Sequence, residues 1–472
     1  MEPHQLPIRA PVTLAAWIAG MLAASTLAGC SEQPWNSPYP AQQAEQNILY
    51  SSFSERPKHL DPAQSYSSNE VVFTGQIYEP PLQYHFLKRP YQLEPLTATQ
   101  VPVAYYLDET GRRLAADSPA ADIAFSVYDI EIKPGIRYQP HAAFARDAEG
   151  RFVYHGLSEA DLEGINTLAD FAATGSRELV AADYVYQIKR LAHPRLHSPI
   201  FGLMSEYIEG LQEYAGILEQ ADREQHSESA QGLFLDLRDY PLSGVQVLDR
   251  YRYRVKIRGK YPQFLYWLAM PFFAPLPWEA ERFYSQPGMS ERNITLDWYP
   301  VGTGPFKFVE WKKGQYIRLD KNENYWKEGL PYLDRIVGRF IPDASTRTAA
   351  MENGEVMYGA YGAIPNIDAV RLRDMDGFSV TTDGYSMINP MALIEFNTVE
   401  EPFNNAAIRK AISLAIDREF LIENIWFGYG KPATSALSTN FTPMGLYKAG
   451  LPNYPANANV EEAIALLDAA GV

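Results

Sequence analysis

At 472 residues the chain is several times the length of a usual domain, so two or three domains are expected. Its composition, 46% hydrophobic and 21% charged, is that of a globular protein, while a net charge of −16 argues against nucleic acid as a partner, which would need a basic face. Cys30 is the only cysteine, so no intramolecular disulfide can form; the 31 Tyr, 22 Phe and 8 Trp fill a core and also suit a cleft with flat, amphipathic walls.

An apolar run, Val12 to Leu27, ends in Leu27-Ala28-Gly29-Cys30. Small residues before a lone cysteine fit the narrow pocket of a signal peptidase, a pattern similar to the bacterial lipobox. Residues 1–30 therefore read as a lipoprotein signal peptide, with Cys30 acylated after cleavage. The run is about 16 residues, short of the ~20 that cross a bilayer as a helix. Its n-region carries only Arg9, offset by Glu2. Residues 31–46, dotted with Pro34, Pro38 and Pro40, read as a flexible tether.

The fold begins with a strand over Asn47 to Phe53 and a turn at Leu60-Asp61-Pro62. Helical spacing follows over Asn69 to Tyr78, stopped by Pro80-Pro81. Ala121 to Ile136 alternates like a strand and breaks at Pro134-Gly135. Val180 to Leu191 reads as a helix opened by Asp183, whereas His141 to Ser176 and Leu211 to Ser243 read as polar insertions with some helix. Arg250 to Arg258 alternates cleanly, through Tyr251, Tyr253, Val255 and Ile257, and predicts a strand. Met270 to Pro275 forms a stiff turn, and Gly302-Thr303-Gly304-Pro305-Phe306 leads into strands over Lys307 to Trp311 and Tyr316 to Leu319. Further on, a helix over Ala344 to Asn353, an apolar strand over Ala392 to Asn397 and a long helix over Asn405 to Trp426 are expected. A last helix covers Val460 to Ala470, capped by Gly471. Strands and helices intermix throughout, which is a mixed α/β class.

Templates for catalysis are missing. The chain has no Gly-x-Ser-x-Gly elbow and no Walker loop, and Gly302-x-Gly304 runs into strand-like sequence without a third glycine. Of the 8 histidines only His193 and His197 have a metal-like i,i+4 spacing, and Pro194 and Pro199 interrupt the helix that would align them. No metal, cofactor or catalytic residue is assigned.

Several ordered segments resemble the oligopeptide- and dipeptide-binding group of extracellular solute-binding proteins, family 5, the receptors of ABC importers. They are Leu60-Asp61-Pro62-Ala63, Tyr78-Glu79-Pro80, Ile132 to Tyr138, Ala182 to Tyr186, Lys189 to Pro194, Gly302 to Phe306, Asn324-Tyr325-Trp326, and the run from Phe396-Asn397 to Ala415-Ile416-Asp417-Arg418. The resemblance implies an α/β, two-lobed periplasmic-binding-protein fold with three domains. Residues 47–84 and 271–395 would form the first, discontinuous domain, 85–270 an inserted second, and 396–472 the start of a third, incomplete lobe. In such binders an aspartate far into the last lobe commonly neutralises the ligand's amino terminus; that segment would follow Val472, so the chain is expected to be part of a longer protein.

By the same resemblance the protein is a receptor without catalysis, lipid-anchored at a membrane in the periplasm or cell envelope. It would deliver oligopeptides to the permease and ATPase subunits of an importer. A murein peptide, an opine, a metal chelate or haem are alternative ligands, and a peptide-binding chaperone or sensor is an alternative role. A secreted hydrolase with facing carboxylates is a further alternative. Main-chain pairing along an extended peptide gives affinity that is independent of side chains. Tyr66, Ser67, Ser68 and Asn69, with Phe201, are placed at the edge of the pocket.

Overall fold

The computed structural model describes residues 39–472 apart from 41–42, 44, 89, 229–233, 359–363, 382–390, 434, 438–440, 443–444, 449, 452 and 472. The leader and Cys30 lie outside the described residues. The first half of the chain supplies β1 (Ile48–Phe53), α1 (Ser68–Ile77), β2 (Leu82–Tyr84), β3 (Leu93–Pro95), β4 (Tyr105–Leu107), β5 (Phe125–Glu131), α2 (Ala181–Arg190), α3 (Phe201–Tyr207) and α4 (Leu211–Glu228). The second half supplies β6 (Val245–Asp249), β7 (Arg252–Arg258), α5 (Trp278–Tyr284), β8 (Phe306–Lys312), β9 (Tyr316–Lys321), β10 (Arg335–Phe340), α6 (Ala344–Glu352), α7 (Asn366–Arg373), α8 (Ala406–Ala415) and α9 (Val460–Ala469).

One mixed sheet runs β1-β10-β9-β8, with β1 parallel to β10 and the other pairs antiparallel. A second sheet, β4-β5-β7-β6, is antiparallel throughout. Strand β7 shows why the alternation was readable. Tyr253, Val255 and Ile257 are fully buried, while Arg254 on the opposite face sits in register with Asp129 of β5 and pairs with it at 2.6 and 2.9 Å. The strand starts at Arg252 because Asp249 Oδ1 accepts from the Tyr251 amide at 3.0 Å and closes the turn from β6.

A single apolar cluster runs from Leu60 to Leu319 and takes in both sheets, α1, α2, α4 and α5. The two stretches expected as polar insertions belong to it. Helix α4 buries Leu211, Tyr214, Ala215, Leu218 and Ala221, a one-face spacing, and the 141–176 stretch buries Ala142, Phe144, Leu162 and Phe171. His141 docks this stretch. Its Nδ1 accepts from the Ala143 amide, which leaves Nε2 to donate to the Tyr284 hydroxyl at 2.8 Å, and that hydroxyl donates to Tyr299 O. Burial pushes the imidazole down to about 3, so it is neutral in the folded state.

Two expectations fail in the last part of the chain. Residues 392–397 form no strand: Leu393 and Ile394 are exposed, and no described strand pairs with them. An apolar run becomes a strand only when a neighbour takes its backbone groups. The long helix expected over Asn405 to Trp426 ends at Ala415. Asp417 turns its carboxylate to the Phe420 amide at 2.8 Å and starts a new short helix, Arg418–Phe420, followed by a π-turn over Leu421–Ile425. An aspartate that can cap competes with helix continuation. Here α8 packs on α9 through a separate small cluster of Ala411, Leu414 and Ala463.

Candidate ligand-binding site

The loop before α1 is held from inside. Buried Glu70 closes a capping box with Ser67 and accepts four backbone N–H groups: Lys58 and His59 at 2.9 Å on Oε1, Tyr66 at 3.0 Å and Ser67 at 3.2 Å on Oε2. Burial alone would raise its pKa, but these donors win and hold the carboxyl below its ordinary value. Asp297, from far along the chain, also holds the loop, accepting from the Leu60 and Asp61 amides at 3.0 Å and facing His59 Nδ1 at 3.1 Å, although burial pushes its carboxyl up. The ring of Tyr66 is thereby presented outward, 67% exposed, against buried Phe272 at 6.2 Å between centroids. Phe272 is fixed in turn, its carbonyl accepting from Gln187 of α2 at 3.1 Å.

Several of the segments that carried the family resemblance pair with one another in the buried body. Asp61 takes Arg190 in a bidentate pair at 2.9 and 2.6 Å, and Glu281 takes the same guanidinium at 2.7 Å, with Arg190 only 2% exposed. Arg177 bridges Asp183 and Glu279 in the same manner. Glu79 receives Trp326 Nε1 at 2.7 Å, the Tyr325 hydroxyl at 3.0 Å and the Thr303 hydroxyl at 3.3 Å. Burial pushes its carboxyl up to about 7 despite these donors. Gly302 and Gly304 allow close backbone approach and no nucleotide loop: a Cβ on Gly302 would stand 1.9 Å from Ile77 O, to which the Gly304 amide donates at 2.9 Å.

Of the residues placed at the pocket edge, Tyr66, Ser67, Ser68 and Asn69 come together at the start of α1. Ser68 is exposed, and Asn69 Nδ2 donates to Arg56 O at 3.3 Å. Phe201 opens α3 and is half-buried against the main cluster. Reading the sequence missed Glu70 and Asp297. The first was findable, because Ser67-x-x-Glu70 is a capping-box pattern; the second, far along the chain, left no local signal. His193 is buried 3.9 Å from Glu281, and His197 adopts a φ of 50°. Among the described residues no three His, Cys, Asp or Glu side chains converge on a metal-sized site.

A shallow cavity of about 350 Å³ at the N-terminus of α2 is lined by Arg177, Arg238, Arg250, Glu178, Asp183, Glu279 and Trp278. Each arginine there already pairs with a carboxylate, Arg238 with Asp236 and Arg250 with Glu178, so the bowl offers no uncompensated charge. None of the pocket-edge residues lines it.

The sequence profile of the bacterial extracellular solute-binding proteins, family 5 Middle, matches residues 174–472. A glutathione-binding protein GsiB of Pectobacterium atrosepticum is 33% identical over 156 residues, 32% of this chain and 29% of that protein. Heme-binding protein A of Haemophilus influenzae is 32% identical over 236 residues, 49% of this chain and 40% of that protein. The chain thus spans well under half the length of these curated relatives. In structure it is similar to the periplasmic binding protein DppA of Helicobacter pylori solved with the peptide STSA. The TM-score is 0.59 at 20% identity, over 92% of this chain and 68% of that one. This likeness establishes the α/β, two-lobed fold.

Proposed function

This chain belongs to family 5 of the bacterial extracellular solute-binding proteins, and we propose that it captures an extended oligopeptide between two lobes and hands it to the permease of an ABC importer. The family is one of solute-binding proteins, not enzymes. The observation that carries the reading is the loop at Tyr66 to Asn69. An exposed aromatic stands on a backbone locked by Glu70 and Asp297, which is how a pre-organised contact surface is made. Tyr66, Ser67, Ser68, Asn69 and Phe201 line one side of the site. The peptide's backbone pairs with strand edges, and its side chains rest in wet pockets that select weakly. Binding energy draws the lobes together, and the permease distinguishes the closed form. Residues 47–84 with 271–395, 85–270 and 396–472 act as the three domains, and the mature chain is anchored through lipid on Cys30 in the periplasm or cell envelope. The solved relative with bound STSA supports a peptide ligand.

The likeness to heme-binding protein A over 49% of the chain favours one alternative, a flat, hydrophobic ligand held by the same aromatic face. Titration calorimetry separates the two. Full-length protein is titrated with a tetrapeptide, a nonapeptide and haem. Heat with either peptide and none with haem supports the first reading; saturable binding of haem alone transfers the assignment to the second.

A further inference from the structure

The segment that precedes β1 does not simply lead into the fold. The Gln43 amide donates to Pro40 O at 2.9 Å and the Gln46 amide to Gln43 O at 3.1 Å. This lays Tyr39 flat on Tyr50 of β1, with ring centroids 3.6 Å apart and planes 13° from parallel. The Tyr50 hydroxyl donates to Gln43 Oε1 at 2.5 Å, and the Tyr39 hydroxyl donates to the Glu355 carbonyl at 2.5 Å. Glu355 is also paired through its carboxylate with Arg339 of β10. Pro38 and Pro40 flank Tyr39 in the sequence and reduce the entropy lost when it docks.

What Tyr39 grips on its far side is a junction. The main apolar cluster closes by Leu319, a small one gathers Ile341, Ala350 and Val356, and a third lies at Ala411, Leu414 and Ala463. The chain leaves the first sheet through residues 355–358. They meet β1 where the Met357 amide donates to Tyr50 O at 2.8 Å and Tyr358 forms a parallel bridge with Ser51. Beyond them α7 reaches the last part of the chain, where Asn366 Nδ2 donates to Trp426 O at 3.3 Å. Residues 355–358 therefore form the crossover from the first sheet toward α7, the helix that touches the last lobe at Trp426.

We propose that the segment carrying Tyr39 and Gln43 is a strap across this crossover, which couples the N-terminal tether to the mobility of the last lobe. One aromatic ring spans a strand of the first sheet and a carbonyl of the crossover. Any rotation of residues 355–358 that carries the Glu355 carbonyl away must break the Tyr39 bond. By reciprocity, undocking Tyr39 loosens the crossover. The inference depends neither on which ligand is bound nor on acylation of Cys30.

Hydrogen–deuterium exchange of the full chain tests it, read at the peptide covering 354–358 and, as a reference, at β9. Tyr39→Phe keeps the stacked ring and removes only the hydroxyl. Exchange at Met357 and Tyr358 is expected to quicken roughly fivefold, the effect of one hydrogen bond on a local opening, with β9 unchanged. Tyr39→Ala, which also strips the stack, quickens it by roughly tenfold or more. Unchanged exchange at 354–358 in both variants overturns the proposal. So does an equal rise at β9, because that would make Tyr39 a contributor to general stability with no particular grip on the crossover.

Discussion

The body around α2 and the last lobe use similar amphipathic helices, yet they bury them very differently. Helix α2 has nine of its ten residues buried, including Asp183, Lys189 and Arg190, each with hydrogen-bonded partners. Helices α8 and α9 share a contact of three buried residues, while Phe420, Leu421, Ile425 and Val460 around them stay exposed. The difference teaches where the family's motifs act. Asp61, Glu79, Asp183, Arg190, Thr303 and Trp326 sit in the buried junctions of the body, and the face proposed to meet ligand is the less distinctive Tyr66-Ser67-Ser68-Asn69 supported by them. Buried charges of this kind add little net stability when complete, but removing one partner strands the others.

The sharpest break in the comparison is therefore Arg190→Met. It leaves Asp61 and Glu281 buried without their cation, and a loss of about 3–5 kcal/mol is expected in urea unfolding of the body. Leu414→Ala, in the small cluster of the last lobe, is expected to cost less, about 2 kcal/mol, because its surroundings can collapse onto it. Equal losses would erase the contrast.

Glu79 sharpens it through pH. Its carboxyl is held at about 7 in the fold against an ordinary 4.5, so between those values the folded chain keeps a proton that the unfolded chain releases. Stability from this group is thus greatest below pH 4.5 and falls as pH rises to 7, by about 3 kcal/mol in all. His141 slopes the other way: its folded value of about 3 lies below the ordinary 6.5, so stability is lost as pH falls through that window. His141 is common to both proteins, so the stability of the wild type relative to Glu79→Gln, from melting curves between pH 5 and 8, should fall as pH rises to 7 and level off beyond. A difference between the two proteins that does not change with pH would remove Glu79 as its source.

Gly302→Ala is expected to cost about 1–3 kcal/mol, since the new methyl meets the Ile77 carbonyl and α1 must shift from the glycine turn. A melting temperature equal to the wild type's would show that this approach is slack.

How much of this was legible depends on distance along the chain. The alternation of β7 and the close of α6 before Gly354 (φ 73°) are local, and the sequence shows them directly; the Ser67-Glu70 cap of α1 is equally local but was not read. Asp61 with Arg190, 129 positions apart, and Glu79 with Trp326, 247 apart, have no local signal. They emerge only when topology brings motif to motif. The two failures in the last part of the chain have the same root. Residues 392–397 lack a described strand to pair with, and Asp417 follows its capping preference where apolar periodicity pointed to a continuous helix. The proposal of Tyr66 as a ligand contact rests on family resemblance and not on periodicity, because one exposed tyrosine in a loop carries no pattern of its own.

The most direct test of the central claim is calorimetric titration of a tetrapeptide into the full-length wild type and Tyr66→Ala, with urea midpoints measured on both. Tyr66 is an exposed contact on a rigid loop, so the account predicts unfolding within about 0.5 kcal/mol of the wild type and peptide affinity weaker by roughly tenfold. Equal affinity in both proteins, or a variant that loses stability along with binding, would contradict it.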